Sequence, residues 1–292
     1  LSSSRYTLID MLEKCLTTTN PQLAYLSYES SNSFPQSPTL VIFHGLFGMA
    51  DNWNSIARGL DLRVLSFDLP GHGGSGRLGS YTYENFAQAA YQAISSLVSG
   101  PVYLLGHSLG GKIAMTLADR GRFPHFAQLK GLIVVDIAPL EYPDSHTQLF
   151  RALESLDLSK TTSRGQAQAV LAKAIPDPGL RGFLLKNLEF DPSSGARWFL
   201  DLGGLRSAYD ELRAWPGTLL GYNGPALWIG GELSEYMKPR ERVRQAIISF
   251  APRAEIDYIE GAGHWVHAEQ RGRVIELLGW FIESLKQETS NL

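Results

Sequence analysis

Two kinds of hydrophobic pattern alternate along this chain. Short continuous apolar runs end at glycine, proline or an acidic residue. They are "TLVIFHG" (39–45), "LRVLSFDLPG" (62–71), "PVYLLGHS" (101–108), "KGLIVVDIAP" (130–139) and "PALWIGGE" (225–232); "AEIDYIEGAGH" (254–264), interrupted by Glu255 and Asp257, is β-rich and also predicts a strand. Runs that are apolar at every position predict strands buried on both faces of a sheet. "LAYLSYES" (23–30) alternates instead and predicts an outer strand, and "NSFPQSP" (32–38) predicts a loop. Between the runs, apolar residues recur at helical spacing in 52–60, 82–98, 111–121, 239–250 and 273–286. Strands alternating with helices predict an α/β fold with a doubly wound, mostly parallel sheet.

One stretch breaks this alternation. From Leu140 to Tyr222 no buried strand is expected. The segments "HTQLFRALESL", "GQAQAVLAKAI", "LRGFLLKNL" and "RWFLDLGGLRSAYDEL" read as helices carrying aromatic residues that need a surface to cover. We therefore expect residues 1–139 and 223–292 to form the α/β core, with 140–222 a helical cap inserted between two of its strands.

Composition narrows the function classes. The 292 residues are 44% hydrophobic with a formal net charge of −3, which gives no broad basic field to hold nucleic acid. No apolar run is long enough to predict a membrane span. The single cysteine, Cys15, forms no internal disulfide and fits a reducing compartment. An intracellular, cytoplasmic setting is expected, with a mitochondrion or plastid as the alternative. Leu8, Met11, Leu12, Cys15 and Leu16 are spaced for a short amphipathic helix, a reading preferred to a targeting remnant because Asp10 and Glu13 interrupt it. The histidines show no metal-ligand spacing, so neither metal nor cofactor is implied. Oligomeric state is not legible.

Two glycine-rich loops follow strands. "GHGGSG" (71–76) has the spacing of a dinucleotide-binding loop. Pro70 precedes it and no apolar helix closes on it, so it reads as an ordinary strand-to-helix connection. "GHSLG" (106–110) has an apolar strand before it and a helix directly after. That context predicts a nucleophile elbow, with the Ser108 hydroxyl exposed at a sharp turn and the helix N-terminus beside it.

A serine needs a base, and the base needs an orienting acid. His264 follows the last strand in a glycine-rich loop and is the expected base; His267, three residues on, is expected to turn away. For the acid, Asp136 ends the apolar run before the cap, while Glu232 and Glu235 follow the run after it. Asp136 is preferred, because a carboxylate at the end of a buried strand is costly without a partner. Two backbone N–H groups are expected to hold an oxyanion: Leu109, after the nucleophile, and Leu46, in "HGLFG". Trp265, Trp198 and Phe183, with Phe199, are candidates for an apolar substrate wall.

Together "HGLFG", "DLPGHGGS", "GHSLGGK", "VVDIAP" and "GAGHWVHAE" resemble, in their order from Pro38 onward, the α/β-hydrolase fold superfamily. With "DNW", "FLLKNL" (183–188) and "RWF" (197–199), the chain is similar to small bacterial esterases and their mitochondrial relatives. The resemblance implies an esterase or thioesterase working through an acyl-enzyme on Ser108. It also allows the acid to follow the strand before the cap, as Asp136 does. The expected substrate is a small ester of short-to-medium acyl chain. The alternatives are a C–C bond hydrolase or cofactor-free perhydrolase using the same residues, or a non-catalytic ligand receptor on the same fold.

Overall fold

The computed structural model describes residues 22–30, 36–191, 195–215 and 217–290. The amphipathic pattern around Cys15 lies outside these. The chain runs β1 (Tyr25–Tyr28), β2 (Thr39–Phe43), α1 (Asn54–Ala57), β3 (Arg63–Phe67), α2 (Tyr83–Leu97), β4 (Val102–His107), α3 (Leu109–Ala118) and β5 (Leu129–Val135). After a long excursion come β8 (Ala226–Gly231), α9 (Arg240–Phe250), β9 (Ala254–Ile259), α10 (Val266–Glu269) and α11 (Arg271–Ser290).

The sheet order is β1-β3-β2-β4-β5-β8-β9. Only β1 pairs antiparallel, so the other six strands end at one edge. Side chains alternate across the sheet. Val41, Phe43, Leu104, Val134 and Trp228 face one core with α2, α3 and α9. Leu40, Ile42, Leu105, Val135 and Ile229 face the other with Trp53, Val274 and Phe281. Both faces of the inner strands β3, β2, β4, β5 and β8 are covered, which is why these read as apolar runs, whereas the edge strands β1 and β9 are only partly buried.

The segment between β5 and β8 holds α4 (Thr147–Glu154), α5 (Arg164–Leu171), α6 (Pro178–Leu184), α7 (Leu202–Ser207) and α8 (Tyr209–Arg213). It also holds a hairpin that the pattern did not announce, β6 (Leu188–Asp191) with β7 (Gly195–Trp198). Each strand has four residues, too few for a period-2 signal to stand out. The Glu189–Arg197 ion pair and the Leu188↔Trp198 pairing hold it together across the strands. Residues 197 and 198 are therefore extended, and the helix expected to include them starts at Leu202, capped by Asp201. Phe150, Leu153, Leu184, Leu205 and Leu212 of this segment join the core on the α2–α3 face. Among the described residues, no helix is long and apolar enough to cross a membrane.

Candidate active site

The carboxyl ends of β4, β5, β8 and β9 bring together side chains that are far apart in sequence. Ser108 stands between β4 and α3 with φ 52° and ψ −118°, a conformation L-residues avoid. Its N–H donates to Val135 O at 3.0 Å, which fixes the elbow to the neighbouring strand. The turn closes because Gly106 has no side chain, since a Cβ there would lie 2.1 Å from Gly110 O, and α3 packs against the end of β2 because Gly110 has none, since its Cβ would lie 2.3 Å from Phe43 O. Gly45 is bare for a similar reason, since its Cβ would meet His107 Nδ1 at 2.9 Å and Ser108 Cβ at 3.2 Å. The loop after β2 thus lies directly against the serine.

That loop has its own supports. Phe47, at φ 63°, donates its N–H to His72 Nε2 at 3.3 Å, and its carbonyl accepts Asn187 Nδ2–H at 2.7 Å. His44 Nδ1–H donates to Gly45 O at 2.8 Å while its Nε2 accepts from Leu69 N–H at 3.0 Å. No hydrogen bond engages the N–H of Leu46 or of Leu109 among the described residues. The "GHGGSG" loop is occupied by its own contacts. His72 N–H reaches Leu69 O at 2.9 Å and Gly74 N–H reaches Asp68 Oδ2 at 2.9 Å, so it is the connection it was read as.

His264 lies in the loop after β9, and its Nδ1–H donates to Asp136 Oδ2 at 2.6 Å. A carboxylate only accepts, so this bond fixes the tautomer and leaves Nε2 with its lone pair. Asp136 is fully buried at the end of β5, with φ 52°. Gly231 N–H donates to it at 2.7 Å, and so does the Ser234 hydroxyl. Burial raises the Asp136 carboxyl above its ordinary range, and these two donors work against that rise. Burial also pulls the His264 imidazolium well below its ordinary value, so the ring is neutral near pH 7.

The other two candidate acids are engaged elsewhere. Glu232 accepts from Gly261 N–H at 3.0 Å, and Glu235 pairs with Lys238 at 2.8 Å. The His264 loop is held on several sides. Glu269 accepts from Gly263 N–H at 2.7 Å and from Trp265 N–H at 3.1 Å, bracketing the histidine. His107 Nε2–H donates to His264 O at 2.9 Å. The Tyr236 ring stacks on the imidazole with centroids 4.2 Å apart. His267 is buried, stacked on Trp53 at 4.4 Å with its ring also meeting His107 at 4.7 Å, yet it lines the same cleft as Ser108, so the expectation that it turns away is not met.

Ser108 and His264 line a cleft of about 220 Å³ whose walls are mainly apolar: Leu46, Phe47, Leu149, Leu180, Phe183 and Trp265. Phe183 and Trp265 were expected there. Trp198 was also expected, and that expectation is corrected: Trp198 and Phe199 do not line the cleft. The hairpin carries Trp198 into pairing with Leu188, and Arg197 covers the Phe199 ring. Sequence reasoning missed Phe47, Leu149, Leu180 and Tyr236. The first sits in the quoted "HGLFG", beside Leu46, and was the one most open to discovery.

The fold and this edge of the sheet define a class, the α/β hydrolases. The sequence profile of the Alpha/beta hydrolase family matches residues 40–277, and the chain belongs to that family. It is a hydrolase, and its relatives include esterases and lipases. It is 32% identical over 256 residues to an sn-1-specific diacylglycerol lipase, ABHD11, of Danio rerio, across 84% of this chain and 78% of that protein. It is 30% identical over 252 residues to the esterase YbfF of Escherichia coli K12, across 85% of this chain and 94% of that one. Among solved structures, a marine microorganism esterase superimposes with a TM-score of 0.81 at 32% identity, covering 89% of this chain and 99% of that one.

Proposed function

We propose that the chain is a serine esterase that cleaves carboxylic esters, or thioesters, of short-to-medium acyl chains through an acyl-enzyme. The observation that carries the reading is the His264–Asp136 hydrogen bond of 2.6 Å, formed on the strand-end edge that also carries the strained Ser108. Ser108 Oγ attacks the ester carbonyl carbon while His264 Nε2 takes its proton. The oxygen becomes an oxyanion held by the free N–H groups of Leu46 and Leu109, at the positive end of α3. The tetrahedral adduct then collapses. The bond to the leaving oxygen breaks, and His264 returns its proton to that oxygen. Water repeats the sequence against the acyl-serine, releasing the acid and restoring the hydroxyl.

Asp136 keeps the ring in the reactive tautomer and stabilises the imidazolium as it forms. Residues 140–222 serve as the cap over this site, with Phe183 and Trp265 as walls for the substrate. Being relatives of esterases and of a diacylglycerol lipase supports ester chemistry. The test is turnover of p-nitrophenyl esters by wild type and Ser108→Ala. We expect the variant to lose about 10⁴-fold or more in kcat. A variant as fast as wild type overturns the reading.

A further inference from the structure

Ser108 lines a second, smaller recess as well as the main cleft. It measures about 40 Å³ against about 220 Å³. The two are not chemically equivalent. His264 lines the large cleft and does not line the small recess. Leu109, whose N–H is a candidate oxyanion donor, lines the small recess and not the large one.

This difference orients an ester. In the tetrahedral adduct the leaving oxygen must reach the histidine that protonates it. The alcohol half therefore occupies the side His264 lines. The acyl half stays on Ser108 and takes the other side. We infer that the small recess is the acyl site and the apolar cleft the alcohol site, so the substrates are esters of very short acids, acetyl or propionyl, with larger apolar alcohols. This narrows the proposed function and rests on it.

Several side chains that wall the recess are held by contacts of their own. Ile137 packs onto the elbow helix, where a Cβ on Gly111 would lie 2.5 Å from Ile137 Cγ2. Lys112 is 2% exposed and spends its ammonium on Arg213 O at 3.0 Å and Ala214 O at 2.7 Å. Tyr142 is pinned by Ala138 N–H at 2.8 Å and by its own donation to Tyr236 O at 3.0 Å. Leu212 of α8 also lines it. A volume of about 40 Å³ holds about three water-sized groups, enough for an acetyl or propionyl tail. The large cleft has about five times that room.

The experiment is two ester series on wild type, Ser108→Ala, Leu212→Ala and Ile137→Val, each checked for folding by circular dichroism. In the first series the alcohol is fixed as p-nitrophenol and the acid runs from acetate to octanoate. In the second the acid is fixed as acetate and the alcohol runs from ethyl to hexyl and benzyl. We expect kcat/KM of wild type to fall about 100-fold from propionate to octanoate, and to hold or rise along the alcohol series. We expect either cavity-enlarging variant to move the acyl optimum to longer acids and leave the alcohol series in place. Wild type preferring octanoate over acetate, with Ser108→Ala inactive, overturns the assignment of the two sites and spares the esterase reading. Ser108→Ala turning over as wild type overturns the esterase reading and this inference with it.

Discussion

Asp136 and Ser108 both stand at φ 52°, each the residue that directly follows a buried strand. A non-glycine residue there costs of the order of 1–3 kcal/mol and persists only where its surroundings over-determine it. For Asp136 those surroundings are Ile229 O at 2.8 Å accepting its N–H, and the Gly231, Ser234 and His264 donors on its carboxylate. The strain is tied to holding one imidazole. Asp136→Asn keeps the shape but offers an amide N–H where only an acceptor fits, so the ring is driven to the wrong tautomer. We expect about 10³–10⁴-fold lower kcat with KM little altered, read from steady-state kinetics. Loss of less than tenfold would return the role to Glu232 or Glu235. The sequence left this choice open for a definite reason: all three carboxylates follow apolar strand runs. What separates them is a Gly261 N–H and a Lys238 ammonium that occupy the glutamates, contacts no local pattern announces.

At the scale of elements, the chain between β5 and β8 is fastened to the core at the loops that surround the serine. Lys112 of α3 reaches the carbonyls that end α8, and Tyr83 of α2 donates its hydroxyl to Leu212 O. Asn187, fully buried just after α6, donates to Phe47 O at 2.7 Å and to Leu184 O at 3.3 Å. The loop that carries the Leu46 N–H is therefore propped from the inserted segment as well as by His72 beneath it. Asn187→Ala removes the prop and leaves Phe47 O buried without that donor. We expect a stability loss of about 1–3 kcal/mol in denaturant unfolding. We also expect about tenfold slower kcat, because a displaced donor stabilises the oxyanion less. Normal kcat in a folded, destabilised variant would mean that Leu46 is not held by this contact. The core elements were legible because each repeats one period over enough residues. The hairpin and the hydrogen bonds between α6 and the loop after β2 were not. Four-residue strands carry little periodic signal, and Asn187 and Phe47 are 140 positions apart.

Taken as a whole, the molecule places a row of buried histidines behind one edge of its sheet. His44 and His72 meet at 5.0 Å, and His107 meets both His264 at 4.8 Å and His267 at 4.7 Å. Backbone groups satisfy much of this row, which makes it a rigid neutral wall for the loops that carry Leu46 and His264. Burial lowers His44 to about 4, and His72 and His107 to about 3, from an ordinary value of 6.5. Burial likewise lowers His267, and the neighbouring rings add to the effect. A histidine that resists protonation when folded binds protons more readily in the unfolded chain. Acid therefore favours unfolding. The contribution is complete above pH 6.5 and is lost as pH falls from there toward 3 or 4. At pH 5 each such histidine withdraws of the order of 2 kcal/mol. We expect Tm to decline gently from pH 8 to 7, where burial has pulled Lys112 down to about 7, and to fall steeply below about 6, in a range where surface carboxylates are still ionised. His72→Gln should make that slope shallower, at some cost in Tm at pH 8 where the loop loses a support. The measurement is thermal unfolding across pH for wild type and this variant. Parallel slopes in the two would show that His72 does not contribute to the acid sensitivity.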